Sequence, residues 1–355
     1  MVDTFDEELH EPDDVPHWQE SYYFNWADTD GRSYGLTRIG FYESGTKGDG
    51  LVLTIRDGIP ESLYGAIGVD ISPPAHTFMK GGVRVSQLAY EMVEPLAEWR
   101  ITLDGSPSIN MTWRAFMPAF DFAADGNFGE LAHHHFEHFG LVNGSITVDG
   151  VEHEISGVGH RDKSWGPRDW SGASGWEWIS AHFGTDLAFN VSIVFDGERP
   201  IEKGFIFHDG RTVEITEATV DYDWDGIEHV PGSARIHFTD AEGERFDVTA
   251  TAIGQAPLVK EELWLQETPS SFSLDYGGRT RSGVGVMEHT WHAGPEAVMA
   301  RLDQLAPLMA LAQKAAAQAA QAADPDAADP DSADPDSANP DAADPDAAAG
   351  PPPST

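Results

Sequence analysis

The chain has 355 residues, and its 60 Asp and Glu against 21 Lys and Arg give a formal charge of −39. That balance disfavours nucleic acid and anionic membrane surfaces, because phosphate binding needs clustered Lys and Arg. Cysteine is absent, which excludes disulfides, thiolate catalysis and Cys-based zinc sites.

Residues 1–14 read as an acidic N-terminal arm. No basic segment leads into an apolar run there, and no stretch of about 18 apolar residues follows anywhere. The expectation is therefore a cytoplasmic protein without membrane insertion. From Tyr22 to Trp291 short β-like runs alternate with turn dipeptides, among them Asp57-Gly58, Asp149-Gly150 and Asp209-Gly210. Leu51-Val52-Leu53-Thr54-Ile55 and Ser145-Ile146-Thr147-Val148 are typical runs. No amphipathic helix separates them, so βαβ units are not expected. The pattern predicts an all-β body of two antiparallel barrel domains, the first over 15–156 and the second over 157–295.

A single helix is predicted over 296–323, entered at Pro295, with Val298, Leu302, Leu305 and Met309 on one face and a break or kink at Pro307. It packs on the barrel exterior or pairs with a second subunit, which makes a homodimer the minor assembly reading. From Asp324 the repeat DPDAA/DPDSA runs to Gly350-Pro351-Pro352-Pro353. Without large apolar side chains, 324–355 is expected to be a disordered acidic tail.

The densest chemistry lies in Gly157-Val158-Gly159-His160-Arg161-Asp162-Lys163-Ser164-Trp165-Gly166-Pro167-Arg168-Asp169-Trp170. Charges beside large rings are costly to desolvate unless paired, so this stretch marks either a ligand pocket or a salt-bridged plug between domains. As a strand it places Val158, His160, Asp162 and Ser164 on one face and Arg161, Lys163 and Trp165 on the other. A partly buried Asp162 would have a raised pKa and suit a general acid. In His133-His134-His135-Phe136-Glu137-His138, the side chains of His133, His135 and Glu137 project together. A divalent metal there is the minor reading, because tight sites usually draw ligands from separate segments. Trp176, Trp178, Ser180 and His182 share one strand face, suited to an apolar-ligand wall or to cation stabilisation, and to core packing as the bland alternative. Glu177, opposite, is a candidate partner for Arg161 or Arg168. Gly283-Val284-Gly285-Val286-Met287-Glu288 reads as a final strand with one inward acid. Dinucleotide, P-loop and GxSxG patterns are missing, so no cofactor is expected.

The central stretch resembles the GxRDHSWGxRDW signature of the carotenoid hydratase-like (hydroxyneurosporene synthase-like) family. His135-Phe136-Glu137-His138 with Gly144–Gly150, and Gly283-x-Gly285-x-x-Glu288, are similar to its flanking segments. The resemblance covers about 15–295 and implies two fused lipocalin-like β-barrels. It also implies addition of water to an isolated alkene of an isoprenoid, with Asp162 and Trp165 at the signature's Asp and Trp. Where the signature has His this chain has Lys163, a cation able to keep Asp162 ionised.

The resulting expectation is a cofactor-independent hydratase, dehydratase or isomerase of a terpenoid-, sterol- or aromatic-type molecule. Asp162, His135, Glu137 and His160 are its candidate catalytic residues, and Trp165, Trp176, Trp178, His182, Arg161 and Arg168 its candidate substrate contacts. No metal is assigned. A lipocalin-like carrier without turnover is the alternative, and an interaction protein locked by the charged motif is a third reading.

Overall fold

The fold is built almost wholly from hairpins, several of them turned by the dipeptides picked out in the sequence. Asp57-Gly58, Asp149-Gly150 and Asp209-Gly210 all have both residues at positive φ. That is the twist a two-residue hairpin requires. The computed structural model describes residues 2–13, 15–124, 133–168, 174–195, 200–260 and 262–323. Asp169, Trp170 and the 324–355 repeat lie outside these residues.

In chain order the first sheet is formed by β1 (Trp18–Asp28), β2 (Ser33–Tyr42), β3 (Lys47–Arg56), β4 (Ile59–Asp70), β5 (Gly82–Val85), β6 (Leu88–Glu94), β7 (Glu98–Leu103), β8 (Ser108–Ala115), β9 (Phe120–Asp121), β10 (His134–Val148) and β11 (Val151–Pro167). The second contains β12 (Gly175–His182), β13 (Leu187–Val194), β14 (Ile201–His208), β15 (Arg211–Trp224), β16 (Pro231–Asp240), β17 (Arg245–Ala252), β18 (Ala256–Lys260), β19 (Leu263–Tyr276) and β20 (Arg279–His292). All pairings are antiparallel, and in the second sheet β17 meets β19, which closes the ring and leaves β18 outside it. The architecture is the expected pair of antiparallel lipocalin-like barrels.

The signature strand corrects the expected boundary at Gly157. β11 hydrogen-bonds to β1 and β10, so it completes the first barrel, and the second begins at β12. The Asp149-Gly150 turn joins β10 to β11 as one long hairpin, and a continuous hairpin cannot be cut between domains.

Apolar burial falls into separate clusters. Tyr22, Phe24, Trp99 and Ile101 fill the first barrel, and Ile179, Phe189, Ile236 and Met287 fill the second. Two further clusters mix both sheets: Phe139 and Val158 pack with Trp176 and Phe205, and Leu36 and Leu53 with Val286. The barrels therefore adhere through outer faces, and strand alternation turns successive residues to a barrel interior and to an outer face, part of which forms this seam.

The late helix is divided into α1 (Gly294–Ala300) and α2 (Leu302–Ala323), and the break falls at Arg301, not at Pro307. Arg301 leaves helical geometry while its guanidinium donates to Glu228 O at 2.9 Å and lies 5.1 Å from the Trp291 ring. Leu308 carries the packing at 5 % exposure, whereas Met309 is 50 % exposed.

Candidate functional site

A cavity of about 530 Å³ lies in the seam, walled by β1–β4, β10 and β11 on one side and β12, β13 and β18–β20 on the other. Asp162, His135, Trp176, Trp178 and Arg168 line it, as do Glu267, Glu288 and Arg38.

The β10–β11 hairpin sets the polar wall. Its turn fixes Val148 opposite Val151, and counting equally along both strands brings Glu137 opposite Asp162. Close packing of β11 on β1 needs glycine: a Cβ on Gly159 would sit 2.1 Å from Asn25 O. Asn25 Oδ1 in turn accepts from His160 N at 2.8 Å.

Asp162 faces the cavity, and among the described residues its carboxyl has no hydrogen bond and no ion pair. Burial pushes its pKa up, and the neighbouring Glu137 carboxylate adds to the rise against the pull of His135 and Arg168. Glu137 behaves in the opposite way. Burial opposes its ionisation, yet His160 and His135 outweigh that and hold it at about 2. His135 Nε2 bonds Glu137 Oε1 at 2.7 Å, and Trp178 Nε1 donates to the same oxygen at 2.8 Å. His160 Nε2 stands 3.0 Å from Glu137 Oε2 in an ion-pair contact whose angle is too poor for a hydrogen bond. The His160 ring is stacked between Phe139 at 4.2 Å and Trp178 at 4.9 Å. His160 thus sits behind the cavity wall and orients Glu137.

On the opposite wall Glu267 and Glu288 pair across β19 and β20. Burial and the neighbouring carboxyl push Glu267 well above the usual carboxylate range, and burial raises Glu288 as well. Tyr34 OH donates to Glu267 Oε2 at 3.4 Å, and Trp176 Nε1 donates to Glu288 Oε1. Two carboxyls this close retain a proton between them.

Three expected substrate contacts are placed elsewhere. Arg161 points into the first barrel, where Glu7 of the N-terminal arm grips it through bonds of 2.6 and 2.7 Å. Trp165 stacks on His10 at 4.1 Å and His134 at 4.8 Å, on that same face. Alternation along β11 turns both away from the cavity. His182 is buried beyond the cavity wall, neither ring nitrogen is hydrogen-bonded among the described residues, and burial lowers its pKa to about 4. Lys163 does not serve Asp162. Its Nζ donates to Glu20 Oε1 at 2.7 Å and to the carbonyls of Asp6 and Glu8. Glu177 pairs with neither arginine. It accepts from Tyr222 OH at 2.5 Å and bonds His289 Nδ1 at 2.8 Å.

Sequence reading missed Glu267 and Arg38. Each had a local signal, since Leu263-x-Leu265-x-Glu267 and Leu36-x-Arg38 put a charge on an otherwise apolar strand face. Among the described residues the group with metal-ligand spacing is His208, Asp240 and Glu244, whose ligand atoms lie within 4.8 Å of one another. It belongs to the second barrel and does not line the cavity.

Solved structures with this fold include kievitone hydratase from Nectria haematococca, at a TM-score of 0.60 and 14% identity over 82% of this chain and 93% of that one. An AttH-like protein from Nitrosomonas europaea matches at a TM-score of 0.57 and 16% identity, over 81% of this chain and 95% of its own. CghA matches at 0.60 and 14%, over 79% and 89% respectively. No curated protein matches the sequence. Residues 3–293 match the model of the family described as domain of unknown function DUF7064, and the chain belongs to that family.

Proposed function

We propose that the seam cavity is the active site of a cofactor-independent acid–base enzyme, a hydratase or dehydratase acting on a hydrophobic small molecule. The observation that carries this reading is the Asp162 carboxyl, unpartnered among the described residues, facing a void and beside an ionised Glu137. Neighbouring carboxyls whose pKa values are driven apart are suited to opposite proton roles. The resemblance of the signature to carotenoid hydratases, and the fold shared with a protein named as a hydratase, support the same class.

In the hydration direction the alkene π pair takes the Asp162 proton and forms a new C–H bond, leaving a carbocation. Trp176 and Trp178 line the space it would occupy, and their ring faces favour a cation. A water lone pair then forms the C–O bond. His135, held by Glu137, accepts the surplus proton, and return of that proton to Asp162 closes the cycle. One water is consumed, and dehydration is the reverse path.

The test is turnover of terpenoid, sterol and phenylpropanoid alkenes in heavy-oxygen water. Label should enter the product with the unaltered chain and vanish in Asp162→Asn. Label that persists in Asp162→Asn removes Asp162 from the role. A hydrophobic molecule that co-purifies without ever being converted would favour a carrier.

A further inference from the structure

We propose that the cavity takes an amphipathic carboxylic acid whose carboxylate docks on the guanidinium groups of Arg38 and Arg168. This rests on the ligand cavity proposed above and adds the polar end of the molecule that enters it.

Arg38 lies on β2, on the same face as Leu36, and both line the cavity. Among the described residues it has no hydrogen bond and no ion pair. A guanidinium has five donors and strongly favours a planar anion. Leaving it unpaired in a partly dry hollow is costly unless a ligand completes it. Gly40 leaves room for it there: a Cβ on Gly40 would lie 2.5 Å from Arg38 Nη1 and 2.7 Å from Nη2. Only a residue without a side chain leaves the guanidinium this position.

Arg168 lines the same wall and donates to Ser164 Oγ. Burial and then the like charge of Arg38 push its pKa down to about 10. The two cations therefore act on each other, and a single anion placed between them would offset that repulsion. The carboxyls nearest Arg38 do not complete it. Asp49 Oδ1 is taken by Tyr42 OH at 3.2 Å and Gly68 N at 2.8 Å. Asp162 is driven by burial toward its neutral form. A carboxylate matches the guanidinium fork in two-oxygen geometry, which an alcohol does not. Leu51, Trp178, Leu258 and Leu265 supply an apolar stretch of the cavity wall, fit for a hydrocarbon body.

The chain's charge of −39 does not oppose this, because Coulomb attraction falls with distance and the two guanidiniums are the groups that a docked carboxylate would touch. An acidic ligand here would also disfavour ionisation of Asp162 and so keep its proton in place for donation.

The experiment titrates decanoate and decanol into the full chain by calorimetry. Decanoate should bind about ten-fold or more tightly than decanol, the scale of one charge-assisted hydrogen-bond pair. In Arg38→Gln the acid-to-alcohol ratio should fall to within about two-fold of one. Gly40→Ala keeps both charges but displaces the guanidinium, and it should lower the ratio too, with circular dichroism confirming the fold of each variant. Equal affinity for acid and alcohol in the unaltered chain overturns the carboxylate site and leaves the ligand cavity standing. So does a ratio that neither variant changes. Binding of neither compound overturns the cavity reading as well.

Discussion

Glu137 and Asp162 face each other across one hairpin, yet the first is held ionised and the second is pushed toward its neutral form. Like charges in opposed strand positions repel, which adds to the burial that raises the Asp162 pKa. If Asp162 is the acid, turnover requires its protonated form and declines as pH rises through its raised pKa. Glu137→Gln removes the negative neighbour, so the Asp162 pKa drops and the alkaline limb of kcat/KM should move to lower pH. A limb that stays in place in that variant would separate Asp162 from the rate. The division of β11 into two faces was legible in the sequence, since alternation is local. The sequence offered a pocket or a plug between domains for the charged stretch; the buried ion pairs of its other face lie inside the first barrel and do not lock the two barrels together. Which face met a void depended on Trp178 and Glu267 arriving from the second barrel, and strand parity carries no information about that.

The N-terminal arm shows the same limit for whole elements. The sequence marked 1–14 as an acidic extension. Its 3-10 turn Thr4–Glu7, held by a capping box between Asp3 and Asp6, instead carries Glu7 into the first barrel. There the Glu7–Arg161 pair is fully buried, and Lys163 and Glu20 form a second buried pair beside it. These contacts join residues more than a hundred positions apart, and a partner at that distance leaves no periodic trace. Glu7→Gln strands the Arg161 charge among Phe24, Trp99 and Phe136. Breaking one side of a buried pair costs about 3–5 kcal/mol, so a large downward shift of the urea midpoint is expected. A midpoint within error of the unaltered chain would show that the arm is dispensable. The Asp-Gly hairpins were legible because a backbone with two positive φ values is written in a dipeptide. The helix break at Arg301 was not, because it is set by Glu228 and Trp291, which no helix pattern encodes.

At the scale of the molecule, the seam places the Glu267 and Glu288 carboxyls together in a buried wall. Their folded pKa values are raised above the unfolded ones, so the protonated pair favours folding at low pH. That stability is lost as pH rises from the unfolded pKa toward the folded one. Glu267→Gln removes the titration, and its free energy of unfolding, read from melting curves, should gain on that of the unaltered chain from pH 5 to pH 8, by about 1.4 kcal/mol for each unit of raised pKa. Parallel melting curves across that range would mean that the two carboxyls do not interact. The twin-barrel fold could be read from hairpin spacing and the signature, whereas the cavity needed the packing of one outer surface on another.

That placement has a consequence for how such a protein diversifies. Each calyx is plugged with its own rings and aliphatics, so the chamber is a suture between two separately packed bodies. Exchanging a lining side chain on either bank reshapes the chamber, while the interiors of the two halves go untouched. On the reading proposed above, selectivity and foldedness are thereby written in different residues, and the first is free to wander without eroding the second.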